Sequence, residues 1–462
     1  MAREKKPNIL FLFTDDQRFD TIRALGNEQI ETPNLDALVE SGTAFKQAHI
    51  MGGTSGAVCM PSRAMLHTGR TLFHIERQGQ QIPKDHVTLG EHLRANGYET
   101  FGTGKWHNAP PSYARSFSAG AEIFFGGMAD HWNVPACRFD PTGRYEQTPM
   151  CPDPFASNEV RYRHCDHITA GRHSTDLLAG AAVEFLGRRD AAKPFLLYCA
   201  FLAPHDPRTM PREFLDKYDP TRIELPENFL PEHPFDNGDL TGRDEKLEAW
   251  PRTPETIRRH MAEYYAMITH ADAAVGRIMQ VLRGSGEFDR TIVVFAGDNG
   301  LAVGRHGLMG KQNLYDHSVR VPLILAGPGV PRGERRDALC YLNDIFPTVC
   351  DLTGMDAPRS VEGLSLAATF ADGSAVVREE LPLAYVDFQR GIRRGHHKLI
   401  EYHVAGRRTT QLFDLAADPW EMHSLADDPA HAGELASLRE RLVHWRDALD
   451  DPSSFWDGCD FG

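Results

Sequence analysis

The chain has 462 residues, 41% hydrophobic and 25% charged, the proportions of a globular protein with room for a large core. Its formal net charge of −14 excludes a broadly basic surface and so a non-specific nucleic-acid binder, although a local cluster of cations can still serve one anionic ligand. No apolar run approaches the roughly 20 residues that span a bilayer, so a membrane is not expected as a partner either.

The opening residues, MAREKKPNILFLFTDD, begin like a signal peptide, basic and then apolar. The apolar part, Ile9–Phe13, is too short for one and runs into Thr14-Asp15-Asp16 without a small-residue cleavage site. It reads as the first buried strand, and a cytoplasmic location is the expectation. Thr32-Pro33 opens a helix over Asn34–Ser41, which Gly42 stops. A small-residue run, MGGTSGAV, then leads into CMPSRAMLHTGR, Cys59 to Arg70. On the residues alone, Cys59 is open between disulfide partner, metal ligand, thiolate nucleophile and precursor of a modified group.

Thr88 caps a helix that ends at Asn96 before Gly97, and the strand Tyr98–Gly102 then releases Gly104-Lys105-Trp106-His107. Residues 109–173 are rich in Pro, Gly, His and aromatics without a period, and are expected to form a functional wall or lid. Within them His164, Cys165 and His167, with Cys137 or Cys151, offer zinc ligands, but their spacing matches no tight zinc pattern. A helix over Ser174–Arg188 precedes the strand Phe195–Leu202, which leads to Pro204-His205-Asp206. The proline- and charge-rich stretch from Pro204 to Pro254 is a second expected wall. A long helix from about Glu255 to Arg283 follows, with Tyr264, Ile268, Ala271, Val275 and Leu282 on one face. The strand Thr291–Ala296 delivers Gly297-Asp298-Asn299-Gly300, and Pro322–Ala326 is a further strand.

Beyond Ala357 the pieces are shorter: strands Leu381–Phe388, Gly391–Arg394, Lys398–Tyr402 and Gln411–Leu415, a helix Gly433–Leu449, and the tail SSFWDGCDFG. This predicts a catalytic α/β domain over residues 1–357 and a small α+β subdomain over 358–462. The eight cysteines have no repeating spacing and are expected to be reduced, Cys199 and Cys350 as core packing.

Strands alternating with helices predict a doubly wound α/β sheet, in which active residues gather beyond the carboxyl ends of the strands. That edge would carry Asp15-Asp16, Lys105, His107, His205-Asp206 and Asp298-Asn299. Each pair alone reads as a turn or a surface group; the shared topological position is what lifts them together. Three carboxylates and a carboxamide are hard oxygen ligands, suited to Ca²⁺ or Mg²⁺ rather than Zn²⁺. With Lys105, His107, His205 and Lys311 they make a pocket for a tetrahedral oxyanion, phosphate or sulfate.

These residues resemble the type I, formylglycine-dependent sulfatases of the alkaline phosphatase superfamily. CMPSRAMLHTGR fits the family's C-x-P-S-R-x-x-x-x-T-G signature, and GYETFGTGKWH, Gly97 to His107, fits its second signature. PNILFLFTDDQ, Asp298–Gly300, His306–Lys311 and the closing QLFDLAADPWEMHSLAD follow in the family's order. The resemblance covers most of the chain and implies a large mixed, mostly parallel sheet flanked by helices, with a smaller C-terminal α+β subdomain.

It also implies an answer for Cys59: oxidation to formylglycine by a formylglycine-generating enzyme, a maturation partner for which Pro61, Ser62 and Arg63 serve as recognition tag. One hydroxyl of the hydrated aldehyde attacks sulfur, and loss of a proton from the other ejects sulfate. By the same resemblance Asp15, Asp16, Asp298, Asn299 and the modified Cys59 hold a metal, Ca²⁺ first, with Mg²⁺ or Mn²⁺ as alternatives. Arg63 and Lys105 steady the nucleophile, His107 takes the second proton, and His205 and Lys311 bind sulfate, with His205 as general acid. Gly52, Gly53, Gly56 and Ala57 are expected to let the turn approach the metal closely.

Arg305 stands where the family often has Glu, and could meet a second anion on the substrate. Asp206, Arg208, His306 and Trp132 are expected to bind substrate, Trp132 by stacking on a pyranose and Asp206 by receiving sugar hydroxyls. The expected reaction is hydrolysis of a sulfate ester, on a small or oligosaccharide substrate. The alternatives are an arylsulfatase and a phosphonate monoester or phosphodiester hydrolase, whose members tend to carry His where this chain has Asn299. A degenerate, non-catalytic glycan binder would lack Cys59, His107 or a metal carboxylate, and none is missing. The sequence is compatible with a homo-oligomer.

Overall fold

The computed structural model of the chain describes residues 6–151 and 157–459; the basic start and the end of the tail lie outside them. At its centre is strand β1 (Asn8–Thr14), buried at every residue, in an eight-stranded sheet. The other strands are β2 (Gly42–Phe45), β3 (Glu99–Lys105), β4 (Ala119–Phe124), β5 (Phe195–Ala200), β6 (Thr291–Gly297), β7 (Leu323–Ala326) and β8 (Glu334–Arg336). Their spatial order is β8-β2-β7-β6-β1-β5-β3-β4. From β4 to β6 neighbouring strands run parallel, whereas β7 is antiparallel to both β6 and β2, so the sheet is mixed and mostly parallel.

The continuous apolar runs of β1, β5 and β6 have the cause usual for parallel strands: both faces are covered. Alternate residues of β1 enter different cores. Leu10 and Leu12 pack with Leu38, Leu178, Val275 and Ile278 of the helices Pro33–Ser41, Ser174–Arg188 and Pro254–Gly284. Ile9, Phe11 and Phe13 pack with Met65, Leu93 and Val349 of Cys59–Thr68, Leu89–Ala95 and Ile345–Thr353. Each such side chain contributes roughly 1.5–3 kcal/mol relative to an exposed one. Among the described residues no helix is long and apolar enough to cross a membrane.

The region 109–173 is less irregular than its composition suggests. It supplies β4, where Gly120 and the facing Gly102 leave room for the Tyr113 hydroxyl: a Cβ at either would meet it at 2.3 and 2.6 Å. Small residues that serve this contact erase the apolar signal of a strand.

A second, five-stranded sheet is built from Glu380–Tyr385, Gln389–Arg394, His397–Val404 and Arg407–Asp414, with Gly52–Gly53 added in parallel at its edge. The C-terminal helix Ala432–Ala448 packs Leu438 and Leu442 onto Ile392, Leu399 and Leu412 of that sheet. Gly52 has φ +100°, and a Cβ there would lie 2.0 Å from the Ala384 carbonyl oxygen. Gly52 and Gly53 therefore serve the junction between the two sheets rather than the approach to a metal.

Candidate active site

The carboxyl edge of the central strands gathers the ionisable groups. Asp15 and Asp16 follow β1, Asp298 and Asn299 follow β6, Lys105 ends β3, and His205 lies beyond β5. All six are buried, as is Lys311 in the loop after β6. Asp16 and His107 take left-handed backbone conformations, φ +67° and +51°, strained for side-chain-bearing residues.

The two leading carboxylates share one pattern. Asp15 Oδ2 accepts Lys105 Nζ at 2.5 Å, and Asp16 Oδ1 accepts Lys311 Nζ at 2.5 Å and Asn299 Nδ2 at 2.7 Å. Their other oxygens, Asp15 Oδ1 and Asp16 Oδ2, are buried without a hydrogen-bond partner, and so is Asn299 Oδ1. Asp298 has a partner on each oxygen, Oδ1 accepting the Asp16 amide at 3.0 Å and Oδ2 Arg63 Nε at 2.8 Å, which leaves Oδ1 a lone pair for a cation. Three unpartnered hard oxygens, each from a different residue, fit a divalent cation such as Ca²⁺ or Mg²⁺, because buried polar atoms are otherwise paired. The electrostatics agree. Burial, and then the neighbouring Asp298, push the Asp15 carboxyl up to about 6 against the pull of Lys105. Burial also raises Asp298, but Arg63, Lys105 and Lys311 outweigh it and hold that group below the usual carboxylate range.

Cys59 is the first residue of the helix Cys59–Thr68, and Ser62 Oγ ties that helix to β6 by donating to the Asp298 carbonyl at 2.6 Å. One turn on, Arg63 reaches both Asp298 and the Lys105 carbonyl, the latter at 3.0 Å. Cys59 Sγ lies 3.3 Å from His107 Nδ1 and 3.4 Å from Lys105 Nζ. Burial pushes the thiol up to about 11, more than Lys105 pulls it down, so it stays protonated at neutral pH. Burial, then Lys105 and Arg63, hold His107 well below its ordinary pKa, leaving a neutral imidazole able to accept a proton. His205 Nε2 lies 3.6 Å from Asp16 Oδ2, and His131 braces it from behind through the His205 carbonyl at 2.9 Å.

Above these groups opens a cavity of ≈ 330 Å³, lined by Cys59, His107, His205 and Lys311 and, on its outer wall, by Met128, Asp239 and Arg243. The structure thus brings together Cys59, Arg63, Lys105, His107, His205 and Lys311 with Asp15, Asp16, Asp298 and Asn299. It does not bring the expected substrate residues there. Asp206 is 4% exposed, and both its oxygens accept from Arg243 rather than facing a sugar. Buried Arg208 approaches His260 and Glu263. Arg305 pairs with Asp20 and lies over the Trp420 ring, beside a separate cavity. His306 stacks on Tyr315 at 4.0 Å, and Trp132 meets His173 edge-on. These side chains follow strand ends in sequence, but the chain turns them into packing before they reach the cleft.

Asp239, Arg243 and Met128 are residues that sequence reasoning missed. The available signal was the assignment of both irregular stretches as walls, which has no period to single out a residue. The proposed zinc ligands do not assemble among the described residues: His167 pairs with Glu122 and Asp166, and Cys165 Sγ donates to the His167 carbonyl. The eight cysteines are free, Cys199 and Cys350 buried in the core.

Comparison with known proteins agrees with this geometry. The sulfatase family model matches residues 7–355, and the model of the C-terminal part of N-sulphoglucosamine sulphohydrolase matches residues 304–448. An arylsulfatase of Clostridium perfringens is 28% identical, over 95% of this chain and 94% of its own length. An N-acetylglucosamine-6-O-sulfatase of Bacteroides thetaiotaomicron is 25% identical, over 95% and 86%. A structure solved in complex with its substrate, D-glucosamine-2-N,6-O-disulfate, superposes with a TM-score of 0.79 over 98% of this chain and 100% of that one, at 22% identity. The match over residues 7–355 takes in every group at the strand edge, and the chain belongs to the sulfatase family of sulfuric ester hydrolases.

Proposed function

We propose that this chain hydrolyses a sulfate ester of a carbohydrate to the alcohol and inorganic sulfate, with residue 59, matured to formylglycine, as its nucleophile. The observation that carries the reading is the position of Cys59: 3.3 Å from a neutral imidazole, 3.4 Å from a lysine, and beside unpartnered carboxylate oxygens. Among its relatives one is named for N-acetylglucosamine 6-sulfate, and a structural neighbour was solved with a sulfated glucosamine, which supports the carbohydrate class.

A divalent cation, Ca²⁺ first, would be held by Asp15, Asp16, Asp298 and Asn299 and would supply Lewis-acid polarisation of sulfate oxygens. Formylglycine would supply a hydrated aldehyde, with one hydroxyl to attack and a second to lose its proton. The chain's own groups do the rest. Lys311 and Lys105 offset the charge of the bound sulfate. His205, at the cleft edge, gives a proton to the departing alcohol oxygen. His107 accepts the proton from residue 59, because its environment keeps it neutral. The amide of Asn299, in place of a second imidazole, favours sulfate over phosphonate or phosphodiester substrates.

Intact-peptide mass across residues 59–63, with turnover of sulfated monosaccharides by the converted, metal-loaded enzyme, tests the reading. Conversion replaces the thiol by an aldehyde, and activity should track the converted fraction. Equal sulfate release from unconverted protein would overturn the formylglycine assignment.

A further inference from the structure

We propose that Asp239 and Arg243 form the subsite for the alcohol part of the ester, and that it takes a polyol with free hydroxyls beside the sulfate and no second negative charge. The inference rests on the hydrolase reading above and adds the chemistry of the leaving group. Both side chains line the cavity that holds Cys59 and His205, and both come from the stretch between Pro204 and Pro254.

Arg243 is fixed from below. Its NH1 donates to Asp206 Oδ1 at 2.9 Å and to Asp244 Oδ1 at 2.7 Å, and its NH2 pairs with Asp206 Oδ2. Asp244 spends its second oxygen on Gln312 Nε2 at 2.9 Å. Asp206 and Asp244 are therefore consumed in aiming the guanidinium, whose side chain stays 47% exposed. A guanidinium has five N–H donors, so two remain for a ligand.

Asp239 supplies the complementary acceptor. Its Oδ2 accepts from the Tyr385 hydroxyl, while Oδ1 lies beside Gly242, where a Cβ would stand 2.5 Å from it. The carboxylate also abuts the loop into the Cys59 helix, since a Cβ on Gly56 would meet Asp239 Oδ2 at 3.9 Å. Neighbouring hydroxyls on a sugar ring can donate to Asp239 and accept from Arg243 together. A sulfate or carboxylate can only accept, and would leave Asp239 Oδ1 without a donor. Met128, 38% exposed in the same cavity, offers an apolar contact for the C–H face of a ring.

Charge selects in the same direction. Asp206, Asp239 and Asp244 outnumber Arg243 in this wall, and Lys311, the other cation of the cavity, is already paired with Asp16 at 2.5 Å. With Asp239 protonated, Asp206 and Asp244 still face the one guanidinium. A second anion on the substrate is repelled there, which is how specificity is built against a competitor.

The test uses the full-length, formylglycine-containing, metal-loaded enzyme. kcat/KM is measured for 4-nitrophenyl sulfate, for monosulfated galactose, glucosamine and N-acetylglucosamine regioisomers, and for D-glucosamine-2-N,6-O-disulfate. The best monosulfated sugar should exceed the disulfate at least tenfold. Asp239→Asn and Arg243→Gln should each lower the ratio of sugar to aryl turnover at least tenfold. Gly242→Val, which crowds Asp239 Oδ1 without removing it, should do the same and serves if either variant fails to fold. Preference for the disulfate, or equal losses on sugar and aryl esters, overturns the proposal. No hydrolysis of any sulfate ester, aryl included, instead overturns the hydrolase reading beneath it, and this one with it.

Discussion

The Tyr264 hydroxyl donates to the Asp16 carbonyl oxygen at 2.5 Å and accepts the Arg18 amide at 2.9 Å. One phenol on the long helix thus clamps both sides of a residue whose φ is +67°. Without the clamp, the strained backbone can relax and turn the Asp16 carboxylate away from its partners. Tyr264→Phe keeps the ring and removes both bonds. Groups that orient ligands typically change metal affinity 10–100-fold. Calcium titration by calorimetry should show at least a tenfold rise in Kd. An unchanged Kd with a lowered melting temperature would reduce Tyr264 to packing.

Removing the cation should make stability depend on pH in a defined direction. The Asp15 carboxyl is raised in the folded chain to about 6 by burial and by Asp298, above the ordinary 3.8. A carboxyl whose folded pKa is raised favours the folded state in acid and opposes it once ionised. In the metal-free protein this one group should therefore contribute a loss of stability as pH rises from about 4 through 6. Added Ca²⁺ should restore most of the loss, because a cation favours the ionised form. Melting temperatures in chelator at pH 5 and pH 7.5, with and without excess Ca²⁺, check this. Buried histidines such as His67 act in the opposite sense, so the comparison is with chelated Asp15→Asn. The melting temperature of that variant should gain more, or lose less, than the parent's between pH 5 and pH 7.5. An equal change in the two proteins sinks it.

The strand ends were legible in the sequence because chemistry and topology coincide there. Asp15, Lys105, His205 and Asp298 each follow an apolar run, and apolar runs make buried parallel strands. Their carboxyl ends then converge without further information. Substrate recognition was not legible for the opposite reason. Asp206 follows His205 directly, but its direction depends on Arg243, 37 residues away. A carboxylate beside a catalytic histidine can face a ligand or carry an arginine, and local sequence does not distinguish the two. β4 was hidden similarly, its small residues answering to the hydroxyl of Tyr113 rather than to a strand's own period.

Cys59→Ser separates attack from release. The serine hydroxyl sits where His107 Nδ1, now 3.3 Å from Cys59 Sγ, can take its proton. It can accept a sulfuryl group but has no second hydroxyl on the same carbon through which to eject sulfate. Steady-state turnover should fall by about 10³-fold or more, as when a nucleophile is removed. A stoichiometric sulfate adduct on residue 59 should appear in the intact mass after incubation with substrate. Full turnover by Cys59→Ser would remove the need for formylglycine.

His67 should set part of the acid limit of the fold. It is 5% exposed, its ring lies 4.3 Å from Trp106 and 4.9 Å from Tyr198, and its Nε2 has no hydrogen-bond partner. Burial, and then the Arg63 charge, lower its pKa to about 3. The unfolded chain binds a proton at this position below about 6.5, whereas the folded chain does not. Stability is thus fully present above about 6.5 and is lost as pH falls toward the folded value. Between pH 8 and pH 5 this one histidine costs about 2 kcal/mol. His67→Phe keeps an aromatic ring between Trp106 and Tyr198 and removes the titration. The variant should lose less stability than the parent between those two pH values, read as a smaller fall in melting temperature. Identical falls would place the acid sensitivity in other buried histidines, such as His49, which burial lowers to about 4.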